Sequence, residues 1–93
     1  MTPDQLHRYF LKRVEPGDHV ELNYAFVHIP GEVLHVTERH LHLRVKSRLA
    51  PGVRRYNLRR ICRLMIELVH RPQRGEPTRI TVNPKESPRL NLL

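Results

Sequence analysis

A chain of 93 residues with a formal charge of +8, 39% hydrophobic residues, 5% aromatic residues and no Trp reads as one small domain with a modest aliphatic core. Its one cysteine, Cys62, excludes an intramolecular disulfide and a Cys-based zinc site. The first residues carry no basic stretch ahead of a long apolar one, and no apolar run approaches the roughly 20 residues of a membrane span, so a cytoplasmic protein with no membrane contact is expected.

Thr2, Pro3 and Gln5 read as an N-cap, a first helical position and a capping-box partner. Leu6, Tyr9, Phe10 and Val14 then recur at three- and four-residue steps, which sends His7, Arg8, Lys12 and Arg13 to the opposite face of a helix closed by Pro16-Gly17. From His19 the period changes to two, with Val20, Leu22 and Tyr24 alternating with polar residues as in a half-buried strand. Pro30-Gly31 reads as punctuation, Val33 to Val36 as a second strand and Thr37-Glu38-Arg39 as a polar turn. Leu41, Leu43 and Val45 alternate with His40, His42, Arg44 and Lys46, which predicts a third strand with a cationic outer face.

After a turn at Ala50-Pro51-Gly52, Val53 to Leu68 is expected as one bent strand or two short ones broken near Arg59-Arg60. Leu58, Ile61, Leu64, Met65 and Leu68 also fit a helical period; the alternation of Tyr56, Leu58 and Ile66 favours strands. Pro72, Pro77, Pro84 and Pro88 make residues 71–93 an extended tail, with an edge strand at Arg79 to Val82. Leu90, Leu92 and Leu93 at its end suit docking on the body, on a second copy in a homo-oligomer or on a partner protein.

The expected fold is therefore mainly β: an N-terminal helix and a small barrel of about five strands over residues 1–70, of the SH3-like or Sm-like kind, followed by the proline-rich tail 71–93. Val20-x-Leu22, Pro30-Gly31-Glu32-Val33, Leu41-x-Leu43 and Tyr56-x-Leu58-x-x-Ile61 resemble the core spacing of an Sm-like domain across about half the chain. Arg54-Arg55-Tyr56-Asn57-Leu58-Arg59-Arg60-Ile61 is similar to the last strands of WYL domains, Sm-like barrels usually attached to DNA-binding modules. The Sm-like resemblance implies a nucleic-acid path along Thr37-Glu38-Arg39-His40 and Ile61-Cys62-Arg63.

Charge divides unevenly. Residues 1–50 carry seven Lys or Arg against six Asp or Glu, and residues 51–93 carry ten against three. Only three of the basic residues are Lys, and the planar fork of Arg suits phosphate contacts and base stacking. Arg54, Arg55, Arg59, Arg60 and Arg63, with Arg39 and the stripe His40, His42, Arg44 and Lys46, are the expected binding residues for nucleic acid, RNA before DNA. His35, His40 and His42 also meet a minimal metal-ligand spacing, but exposed polar histidines are the simpler reading, and no metal or cofactor is expected. No motif sets a nucleophile beside a base or cradles a phosphate with glycines, which points to a non-enzymatic, regulatory binding protein. The competing expectation is a protein-interaction module that grips an acidic patch on a larger nucleic-acid-processing machine.

Overall fold

In a computed structural model, which describes residues 1–83, helix α1 runs from Pro3 to Arg13. The Thr2 hydroxyl accepts from the Gln5 amide at 3.2 Å and the Gln5 side chain accepts from the Thr2 amide at 2.9 Å, the reciprocal capping box that the sequence suggests. Leu6 and Phe10 are fully buried on its inner face, and Lys12 and Arg13 meet the carbonyl end of the helix dipole.

Six strands follow among the described residues: β1 His19–Asn23, β2 His28–Val36, β3 His40–Val45, β4 Gly52–Asn57, β5 Glu67–Arg71 and β6 Thr78–Thr81. They form one open antiparallel sheet in the order β4-β3-β2-β1-β5-β6, in which β4 and β6 are the edges. Alternation sends Val20, Leu22, Leu41, Leu43, Leu68 and Ile80 to a single face, where they share one core with Leu6 and Phe10 of α1. Short hairpin connections suffice for β1 to β4, but β5 lies beside β1, so the chain must return across the sheet from β4.

That return is a helix, which corrects the middle of the stretch Val53 to Leu68 expected as strand; its two ends are strand, in β4 and at the start of β5. Helix α2 spans Leu58–Leu64 and is capped by Asn57, whose side-chain oxygen accepts from the Arg60 amide at 2.9 Å. A strand continuing the inward positions of Tyr56 and Leu58 would turn Arg60 into the core. The helix instead buries Leu58, Ile61 and Cys62, and leaves Arg59, Arg60 and Arg63 in water.

Pro30-Gly31, expected as punctuation, lies inside β2. Gly31 is opposite Val20 and Val45, and a Cβ there would stand 2.7 Å from both the Arg44 carbonyl and Leu43 Cγ, so close strand packing explains the glycine. The edge strand expected near Arg79 forms as β6, and Ile80 and Val82 join the same core. The N-terminal amino group donates to the Thr81 carbonyl at 3.0 Å, which ties the start of the chain to that strand. The tip at Leu90 to Leu93 lies outside the described residues.

A buried polar clamp joins three elements to this body. The Asp18 carboxylate lies 2.7 Å from His70 Nε2, and the Tyr9 hydroxyl lies 2.7 Å from His70 Nδ1. An ionised carboxylate only accepts, so His70 Nε2 donates to Asp18, and the Tyr9 hydroxyl bonds the other ring nitrogen. Amides of Glu15 and Gln73 also donate to Asp18. Burial raises the Asp18 pKa, but the His70 hydrogen bond and these amides outweigh it and hold the carboxyl below its ordinary value.

Candidate nucleic-acid interface

The sheet's outer face is organised by register. His40 is opposite Asn57, His42 opposite Arg55, and Arg44 opposite both Val53 and Glu32. Because side chains alternate, Arg55 shares the outer face with His40, His42 and Arg44, whereas Arg54 shares the inner side with Leu43. Adjacent arginines of the sequence cluster therefore face opposite ways.

A bulge adds His35 to this surface. Val33 pairs with Leu43 on the buried face, and simple alternation would turn His35 the same way. The extra residue, Leu34, shifts the register so that His35 pairs with His42 outside and Val36 pairs with Leu41 inside. The His35 and His42 rings meet edge to face at 5.7 Å, and His40 and His42 at 6.3 Å. Among the described residues no group of three His, Cys, Asp or Glu side chains stands close enough to hold a metal ion.

At the Asn57 end this face runs into a cleft of about 390 Å³ lined by His7, Glu38, Arg39, Asn57 and Arg59. Three elements build it: α1, the turn between β2 and β3, and the start of α2. His7 Nε2 donates to the Glu38 carbonyl at 2.9 Å, and the Leu58 amide donates to the Arg39 carbonyl at 2.8 Å, so the turn is held from both sides. Nothing in the sequence brings His7 here, because its partner is 31 residues away.

The face is electrostatically asymmetric. On the β1, β5 and β6 half, Arg71 pairs with Glu21 at 3.2 Å and Arg79 with Glu67 at 2.9 Å. On the β3 and β4 half, among the described residues only Arg44 has an acid, Glu32, at a loose 3.9 Å. Among the described residues Arg39, Arg54, Arg55, Arg59, Arg60 and Arg63 make no ion pair. Lys46 follows β3 and donates to His19 at 3.2 Å, so it leans toward the sheet centre.

The ten expected residues thus divide. Arg39, His40, His42, Arg44, Arg55 and Arg59 come together along the outer face and the cleft. Arg60 and Arg63 are exposed on α2, and Arg54 lies on the other side of the sheet. In Ile61-Cys62-Arg63, expected to line a path, Ile61 and Cys62 are buried in the helix and only Arg63 is exposed. Burial pushes the Cys62 thiol up to about 12, which makes it a core group with little thiolate character.

A family described as "Uncharacterized protein conserved in archaea (DUF2097)" matches residues 1–81 of the chain. No curated protein matches it, and no solved structure does. Among the described residues no helix is long and apolar enough to cross a membrane.

Proposed function

We propose that this chain, which belongs to that archaeal family, is a cytoplasmic nucleic-acid-binding protein with a regulatory, non-enzymatic role. Single-stranded RNA is its preferred ligand. The observation that carries this reading is the charge asymmetry of the outer face: Arg39, Arg55 and Arg59 are free of the chain's own acids among the described residues, whereas Arg71 and Arg79 are paired. Unpaired guanidiniums on one surface supply the sequence-independent phosphate affinity of nucleic-acid binders.

A single strand fits this surface better than a duplex. Imidazole rings and guanidinium planes are stacking partners for unstacked bases, and His35, His40 and His42 lie among the arginines. The strand order β4-β3-β2-β1-β5, with a short helix between β4 and β5, supports assigning the Sm-like barrel class to the body, with β6 as an added edge strand.

Titration of fluorescein-labelled single-stranded RNA and DNA of several unrelated sequences tests the reading. The expected result is binding that depends little on sequence and weakens steeply between 50 and 200 mM salt. Absence of binding to either polymer at 50 mM salt refutes it.

A further inference from the structure

At the other end of strands β3 and β4, on the core side of the sheet, the described residues leave an apolar groove open. It is lined by Phe26, Val27, Ile29, Leu49, Arg54 and Tyr56, among others. Phe26 is 99% exposed and Leu49 96% exposed, and both are held out on loops, one between β1 and β2 and one between β3 and β4. Large exposed apolar side chains gathered on one groove mark an interaction surface more often than isolated ones do.

Charge decides among the occupants. Among the described residues Arg54 is the one Lys or Arg of the groove wall, no Asp or Glu lines the groove, and Arg48 is exposed in the adjoining loop. A second copy seated face to face would set Arg54 against its own image on a chain that already carries +8. Nucleic acid fits less well, because among the described residues Arg54 is the one Lys or Arg in the lining and would hold few phosphates. What fits is an apolar side chain with a carboxylate beside it.

We propose that the groove seats an acidic peptide segment of a partner protein, with an apolar residue between Phe26 and Leu49 and a carboxylate on Arg54. This site is separate from the outer face and stands independently of the nucleic-acid reading. It also gives Arg54 a role that its position, turned away from the other arginines, otherwise lacks.

A library of random dodecapeptides displayed on phage and panned against the full chain tests the proposal. Enriched sequences should carry Leu, Ile, Met or Phe within two residues of Asp or Glu. A synthetic enriched peptide should bind at least tenfold more weakly to Phe26→Ser with Leu49→Ser, and to Arg54→Glu, while circular dichroism and affinity for labelled single-stranded RNA stay within error of the parent. Enrichment of peptides without carboxylates, no enrichment over the Phe26→Ser/Leu49→Ser variant, or peptide affinity indifferent to all three substitutions overturns it. So does binding of the labelled RNA, or of anionic phospholipid vesicles, that is lost in the groove variants. Failure of RNA binding with peptide selection intact would leave this site standing and remove only the function proposed for the outer face.

Discussion

Two double substitutions with the same effect on total charge separate a local phosphate-binding surface from a diffuse positive field. Arg55→Ala with Arg59→Ala, and Arg71→Ala with Arg79→Ala, each lower the net charge from +8 to +6. The first pair removes guanidiniums that have no acid partner among the described residues; the second removes ones already held by Glu21 and Glu67. Each phosphate contact on a single strand contributes about 0.7 to the slope of log K against log salt, so losing two flattens the slope by about 1.4. With affinity at 1 M salt unchanged, the same loss at 0.1 M amounts to about 1.4 log units, or roughly 25-fold. Fluorescence anisotropy with a labelled single-stranded RNA across 50 to 300 mM salt reads both quantities. The Arg71 and Arg79 variant should keep nearly the parent slope. Equal flattening in the two variants would refute the assignment of binding to the β3 and β4 half of the sheet.

Four further outcomes follow from the packing. In Asp18→Asn the new amide must point a donor at His70 or at a backbone amide, which should cost about 1–3 kcal/mol and lower the melting temperature by roughly 4–8 °C per kcal/mol. Because the folded Asp18 carboxyl titrates below its ordinary 3.8, its contribution is present at neutral pH and is lost as acid takes the pH through the folded value, so melting below about pH 4 should be less acid-sensitive in the variant than in the parent. Gly31→Ala drives a methyl against the Arg44 carbonyl and Leu43, and a loss of about 1–3 kcal/mol in urea unfolding is expected; an unchanged midpoint would mean that the strands can separate there at little cost. Asn57→Ala removes the α2 cap and should cost about 1 kcal/mol while also loosening the cleft, visible as weaker RNA binding alongside the lower melting point. Cys62, buried with its thiol pushed up to about 12, should react with a thiol reagent only as fast as the fold opens, and rapid labelling of the native protein at pH 8 would contradict its core position.

Elements governed by neighbours a few residues apart were legible from the chain alone. Thr2, Pro3 and Gln5 specify the start of α1 because a capping box needs only local hydrogen bonds, and the alternation of Leu41, Leu43 and Val45 sets which way His40, His42 and Arg44 face. The segment from Leu58 to Leu64 was ambiguous because its apolar spacing satisfies two periods. What settles it is the route from the β4 edge back to β5 over a core that accepts Ile61 and Cys62 but not Arg60.

Local sequence thus determined the start of the first helix, the faces of β3 and the positive charge. Tertiary structure alone decided which arginines stay unpaired, because Glu21 and Glu67 reach Arg71 and Arg79 only through pairings made across the sheet, 50 and 12 residues apart. It also decided that a one-residue bulge turns His35 outward, and that His7 closes the cleft beside Arg39 and Arg59. The physical reason is that strand register, a bulge and contacts between distant elements set which side chains meet, and a list of residues carries none of these.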